Sequence, residues 1–366
     1  FVTTSEGPEA ATDETSTDTL TLAVGGDYQV EPLVDLIAFR DSAYEPVRAV
    51  HVYSTKAADK ASMGRIMDII DRSELNAMVV AVKDDYGRIA YDSEAPMALE
   101  AKTVKPIIWG GDLDALVATF IERNVIPIAR IVCFKDSYLA AARPELAIQN
   151  KETGEPWTDR NGDRYLNPFQ QENWEYIVQV AEDVAKRGFR EIQFDYVRFP
   201  AGADGDLSKT DYPGKWGSKE QAIAGFLAYA RPRLEPLGVW VSADVFGYVA
   251  NRTGDLGIGQ NLERMCENLD LICPMVYPTL YEFGAYGIEY PPAEPYKLVK
   301  NALAKTPARM EGTGAKCRPW LQAYDDYFSR KIDYTPEMIR EEIRAAADLG
   351  FNEYLLWGGY PELGFE

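Results

Sequence analysis

The stretch EIQFDYVRF (191–199) is where the fold of this chain can be read. Ile192 and Phe194 alternate with Gln193 and Asp195, and a period of two is the mark of a strand. In front of it lies NWEYIVQVAEDVAKRG (173–188), an amphipathic helical pattern that ends on Gly188, as a helix C-cap should. Behind it, after a loop, come a second helical pattern, AIAGFLAYARPRLEPLG (222–238), and a second strand, VWVSADVFG (239–247). Helix, strand, helix, strand is the grammar of a parallel sheet with right-handed crossovers.

Working outward, the same unit recurs. Strand patterns fall at 47–54, 77–83, 126–134, 271–278, 318–324 and 354–359, interleaved with helical patterns such as MGRIMDIIDRSE (63–74) and PEMIREEIRAAADLG (336–350). Eight units over roughly 320 residues fit an α/β (β/α)8 barrel, a TIM barrel, with enlarged loops. An open doubly wound sheet would want a Gly-rich phosphate turn after an early strand, and neither GxGxxG nor GxxxxGK[ST] occurs. The expected division is a flexible, acidic, Thr-rich tail or linker at 1–21, a lead-in at 22–46 packing on the barrel, and the barrel itself at 47–366. The chain starts with Phe1, which suggests a processed product whose export signal has been removed and an extracellular or envelope-attached location.

Composition narrows the function. With 38 basic against 58 acidic side chains, the formal charge is −20, a poor match for nucleic acid. No run of about 18 apolar residues appears, so no transmembrane segment is expected. One histidine, His51, leaves little room for His-based zinc sites or a Ser-His-Asp triad. No cofactor is implied, and no acidic spacing suggests a metal. Cys133, Cys266, Cys273 and Cys317 lack CxxC spacing and read as small buried hydrophobes, with pairing left open.

Strand parity sorts the remaining polar residues. It turns Gln193 and Asp195 inward on strand four, and Trp240, Ser242 and Asp244 inward on strand five. The same exercise places His51, Tyr53, Lys83, Arg130, Tyr277, Gln322, Tyr324 and Trp357 toward the barrel axis near the strands' C-terminal ends, where barrel enzymes build active sites. A self-satisfied ion-pair network among Lys83, Arg130, Asp195 and Asp244 is the bland alternative, and a poor route to stability. Two carboxylates on adjacent strands are what glycoside hydrolysis needs, one protonating the leaving oxygen while the other attacks or activates water. Asp195 is the expected nucleophile or base and Asp244 the acid. Arg198 would hold Asp195 ionised or meet substrate, with a surface ion pair as its plainer role. Tyr53, Lys83, Arg130, Tyr277, Tyr324 and Trp357 would position sugar, aided by further aromatics in the loops: Tyr196, Tyr248, Tyr281, Trp157, Trp216 and Trp320. Asp84 and Asp85 read first as turn residues of KDDYGRIAYDS (83–93). Asp325 and Asp326 could supply a third carboxylate or cap the next segment.

At these residues a resemblance emerges. VAVKDDYGRIAYDS (80–93), ARIVCFKDSYLAAARPELAI (129–148), the loop from WTDRNG to LNPF (157–169) and above all GFREIQFDYVRFP (188–200) resemble a bacterial domain family grouped with glycosyl hydrolases. The likeness runs from about Val47 to the C-terminus and implies a TIM-barrel glycoside hydrolase, exported or attached to the envelope. Strand four is more distantly similar to the family-eighteen chitinase motif DGxDxDxE. Asp195 matches its last aspartate, but Val197 stands where that motif has its acid, which argues against the substrate-assisted mechanism. CPMVYP (273–278) resembles the chitinase Met-x-Tyr, which implies that Tyr277 faces the site. The stretch from SADVFG to DLICPMVYP (242–278) resembles hydrolase-like domains acting on hexosamine-containing surface polysaccharides. The expectation is a hydrolase of a bacterial or host polysaccharide. A non-catalytic barrel that binds envelope polysaccharide is the alternative, and a lyase or metal-assisted deacetylase a weaker one.

Overall fold

The computed structural model describes residues 45–326 and 330–358. The tail at 1–21 and most of the lead-in at 22–46 therefore lie outside the described residues. Eight parallel strands follow in sequence: β1 (Arg48–Val52), β2 (Ala77–Lys83), β3 (Ile126–Val132), β4 (Glu191–Asp195), β5 (Trp240–Phe246), β6 (Leu271–Val276), β7 (Trp320–Ala323) and β8 (Tyr354–Gly358). Each pairs with the next, and β8 returns to β1 in the register Arg48↔Tyr354 to Val50↔Leu356, closing the barrel. Principal helices after the first seven strands are α1 (Lys60–Ile70), α2 (Leu113–Glu122), α3 (Gln171–Lys186), α4 (Lys219–Leu234), α5 (Leu262–Cys266), α6 (Pro295–Leu303) and α7 (Pro336–Ala347). This is the expected (β/α)8 barrel. No helix among the described residues is long and apolar enough to cross a membrane.

Parity works as the sequence predicts on most strands. Ile192 and Phe194 join the large apolar shell between strands and helices, together with Val241, Ala243 and Val245. Ala49, Val79, Ile128, Leu271, Cys273, Trp320 and Leu355 fill the barrel axis. Beneath that layer sits a buried ionic floor. Arg318 donates to both Glu191 oxygens at 2.9 and 2.8 Å, Ser242 Oγ donates to Glu191 at 2.6 Å, and Glu353 accepts the Val47 amide at 2.9 Å. Arg318 also lies 3.5 Å from Glu353, so these charges pair with one another and the floor is structural. All four cysteines are buried and unpaired.

Lys83 departs from expectation. Between Ala81 and Lys83 the β2–β3 register shifts, setting Lys83 beside Ile131, a residue of the helix-facing shell. The bulge flips the side chain out of the axis. Its ammonium is fully buried, 2.7 Å from Asp136 and 5.7 Å above the Tyr176 ring on α3. Asp136 in turn caps the helix at Ser137–Ala142 through the Leu139 amide, and crowds Gly87 so closely that a Cβ there would lie 1.9 Å from its Oδ1. Lys83 is thus a pillar of the β2 and β3 loops rather than a sugar contact. Lys83→Met strands a buried carboxylate, and the expected cost is about 3–5 kcal/mol, read as a lowered urea midpoint.

Candidate active site

At the C-terminal mouth of the barrel the polar residues converge on Arg130. The β3–β4 register sets Arg130 beside Gln193 and Val132 beside Asp195, so the guanidinium reaches up to the carboxylate on the neighbouring strand. Nε and Nη2 of Arg130 donate to Asp195 Oδ2 at 2.9 and 2.5 Å, and Nη2 also donates to Asp85 Oδ1 at 2.8 Å. Arg130 is 1% exposed and Asp195 3%. The other Asp195 oxygen accepts the Tyr196 amide at 2.6 Å. The backbone at Tyr196 is left-handed, φ 48°, a strained conformation for a non-glycine residue and of the kind that gathers at functional sites.

Asp244 stands on the adjoining strand, with Phe194 and Ala243 in register just below the two carboxyls. Trp320 Nε1 donates to its Oδ1 at 2.6 Å, while Oδ2 has no hydrogen-bond partner among the described residues. Burial first, then the charge of Asp195, push this carboxyl well above the ordinary carboxylate range, against the pull of the Trp320 bond and Arg130. Asp244 is therefore an acid that keeps its proton where ordinary aspartates have lost theirs. Arg130 Nη1, Gln193 Oε1 and Tyr277 Oη are likewise buried with no hydrogen-bond partner among the described residues. Four such atoms at one mouth show that the network is not self-satisfied.

Aromatic rings wall this centre. His51 lies flat on Trp357, centroids 3.9 Å apart, and burial followed by the Arg130 charge keeps its imidazole neutral. Arg130 packs over the Trp357 ring at 5.1 Å, Tyr53 meets its edge at 5.7 Å, and Tyr277 sits 6.3 Å from Trp357 and 6.0 Å from Tyr324. Tyr53 is 37% exposed, while Trp357 and Tyr324 are half-buried, so the wall opens to solvent. Faces of this kind suit the apolar C–H sides of sugar rings.

Of the expected site residues, the structure gathers Asp195, Asp244, Arg130, Tyr53, Tyr277, Tyr324 and Trp357. Lys83 lies outside the group. So does Arg198: the strand ends at Asp195, the turn at Tyr196 breaks the alternation, and Arg198 pairs with Asp204 at 2.8 Å beneath the Tyr196 and Phe246 rings. Among the aromatics, Trp320 belongs to the barrel core and Trp157 to a loop cluster with Ile148 and Tyr165. Asp325 and Asp326 serve structure, accepting from the Tyr334 amide and the Tyr290 hydroxyl. Asp85 is the residue the turn reading undervalued. Asp84 takes the turn bonds from Tyr86 and Arg88, and Asp85 turns to Arg130 with a third of its side chain exposed. Burial opposes the ionised form of Asp85, but the Arg130 guanidinium outweighs it and holds the carboxyl below its usual value.

A (β/α)8 barrel with two carboxyls on adjacent strands and an aromatic wall at its C-terminal mouth is an architecture that glycoside hydrolases use. The chain belongs to the family described as "Putative glycosyl hydrolase domain", whose model matches residues 49–361. Among solved structures it is similar to the PgaB (BpsB) glycoside hydrolase domain from Bordetella bronchiseptica, with 15% identity, a TM-score of 0.62, and 87% of this chain and 97% of that one covered. It is also similar to the alpha-galactosidase TtGalA from Thermus thermophilus, with 12% identity, a TM-score of 0.55, and 91% and 63% covered. At these identities the likeness is one of fold. A hypothetical protein from Ruminiclostridium thermocellum shares 34% identity over 54% of this chain and 97% of its own, with a TM-score of 0.49. No curated protein matches the sequence.

Proposed function

We propose that the protein is an exported glycoside hydrolase that cleaves a bacterial or host polysaccharide. The observation that carries this reading is the unequal acid pair, Asp195 ion-paired with Arg130 and Asp244 buried beside it, its carboxyl pushed above the ordinary range by burial and by Asp195. Carboxyls in such unequal environments divide acid from base. Asp244 protonates the glycosidic oxygen as it leaves. Asp195 attacks the anomeric carbon or activates the water that does. Arg130 holds Asp195 in one orientation, while Tyr53, Tyr277, Tyr324 and Trp357 hold the sugar. Hexosamine-containing exopolymers are the first substrates to try, given the likeness of strands five and six to domains that act on them.

The test is reducing-end release from a panel of polysaccharides by the wild type and by Asp195→Asn. One polymer should be cleaved, and the variant should be slower by at least about 10²-fold, the scale of positioned acid–base chemistry. Cleavage unchanged in the variant would remove Asp195 from the reaction. A second reading, a polysaccharide-binding barrel without turnover, draws on Val197, which is buried in the apolar shell where the chitinase motif carries its acid. Binding of one polymer by both proteins, with no new reducing ends, would favour it.

A further inference from the structure

The loops after β3 and β4, on the same face as Asp195, enclose a cavity of about 460 Å³ lined by Lys151, Lys215, Lys219, Asp211, Tyr212 and their neighbours. This is an electrostatic exception in a chain of net charge −20. Three lysines and one aspartate line it, and none of the three lysines forms an ion pair within 4 Å among the described residues, although the chain has 58 acidic side chains. The walls are built rather than loose. A short antiparallel ladder joins Gln149–Asn150 to Thr210–Asp211, and the Lys151 amide donates to Lys209 O at 2.9 Å. Lys151 Nζ is tied to Ser208 O at 3.0 Å, and Lys219 Nζ to Gly257 O at 2.8 Å. An ammonium has three protons, so each keeps donors for a ligand. Lys219 also opens α4 and lies 5.2 and 5.7 Å above the Phe199 and Tyr212 rings. Burial holds the Lys219 ammonium below its usual value, against the pull of Asp255 and with a smaller push from Lys215.

Leu207 and Tyr212, from the cavity wall, pack in one cluster with Tyr196, the residue that follows Asp195. The lysine cavity and Asp195 thus belong to the same end of the barrel, linked through the packing of the loops after β3 and β4. We infer that this cavity is a subsite for an anionic substituent on the polysaccharide, a uronate carboxylate or a sulfate ester. The inference names the substrate class and rests on the hydrolase reading above. The overall negative charge would repel such a polymer at long range. At physiological salt that field is screened within about 8 Å, leaving the direct ammonium contacts to decide.

The test measures binding separately from cleavage. Asp195→Asn is titrated calorimetrically, at about 0.15 M salt, with an oligogalacturonate, a carrageenan oligosaccharide whose only anions are sulfate esters, and a neutral dextran oligosaccharide. The titration is repeated with Lys151→Glu/Lys215→Glu added. At least one anionic oligosaccharide should bind more tightly than the neutral one and lose at least tenfold in affinity with the lysine changes. Which of the two responds distinguishes carboxylate from sulfate. Both lysines are exposed, so folding should be unaffected, and Lys151→Gln/Lys215→Gln should give a smaller loss in the same direction. Anionic and neutral oligosaccharides bound alike, or binding indifferent to the lysines, would overturn the subsite and leave the hydrolase reading standing. The lysine-dependent binding with no reducing ends released from any polymer by wild type would instead remove the hydrolase reading and keep the subsite.

Discussion

Arg130→Met should unfold at a much lower urea concentration than the wild type at pH 8, by about 3–5 kcal/mol, the cost of removing one member of a buried ion pair. Asp195 keeps only the Tyr196 amide once its two guanidinium bonds are gone, and a buried carboxylate is left without its cation. Asp85→Asn is the internal control. Its side chain is a third exposed, and a pair of that kind contributes about 1 kcal/mol or less. Urea midpoints for both variants decide the matter. An Arg130→Met midpoint that matched the wild type would mean that Arg130 is not what holds the centre together.

How much of this centre was legible in the sequence depends on backbone regularity. The eight strands announce themselves because each is an apolar run between a turn and an amphipathic helix. Asp195 and Asp244 were reachable by counting in twos along strands that stay regular to their last residue. The count fails where the backbone breaks step. A bulge after Ala81 sends Lys83 to the helix side, and the left-handed turn at Tyr196 puts Arg198 on another course. Neither feature has a Gly or Pro to mark it. Asp84 and Asp85 pose a different difficulty, since two identical neighbours in a tight turn divide the work and only three dimensions show which one caps the turn. The Arg130–Asp195 pairing did leave a signal. Both lie on adjoining strands with inward parity, and a buried arginine seeks a carboxylate within reach. The lysine cavity left none, because Lys151 and Lys215 come from loops that only the folded chain brings together.

Asp244→Asn should give a protein that is no less stable at neutral pH and nearly inactive on polymer. The wild-type carboxyl keeps its proton in the folded state, while in the unfolded chain it ionises near pH 4. Between those two values the unfolded state binds fewer protons, so stability falls as pH rises. Asparagine cannot ionise, and its Oδ1 can still accept from Trp320 Nε1. The variant should lack that fall, and its stability–pH curve should cross the wild-type curve above pH 4 and stay at or above it. Catalysis goes the other way. Without a proton to give the leaving oxygen, polymer hydrolysis should drop by about 10²–10⁴-fold, whereas an aryl glycoside whose leaving group needs no protonation should keep a larger share of its rate. In the wild type, activity on polymer should decline as pH rises through the raised Asp244 value, and the variant's residual activity should show no such limb. Full activity on polymer in Asp244→Asn would move the acid elsewhere in the mouth. An unchanged pH slope of stability would mean that Asp244 is ionised in the fold. The two measurements are independent, and only a buried, proton-holding Asp244 at the reacting centre predicts gain in one and loss in the other, which is the trade a preorganised acid imposes on the fold that carries it.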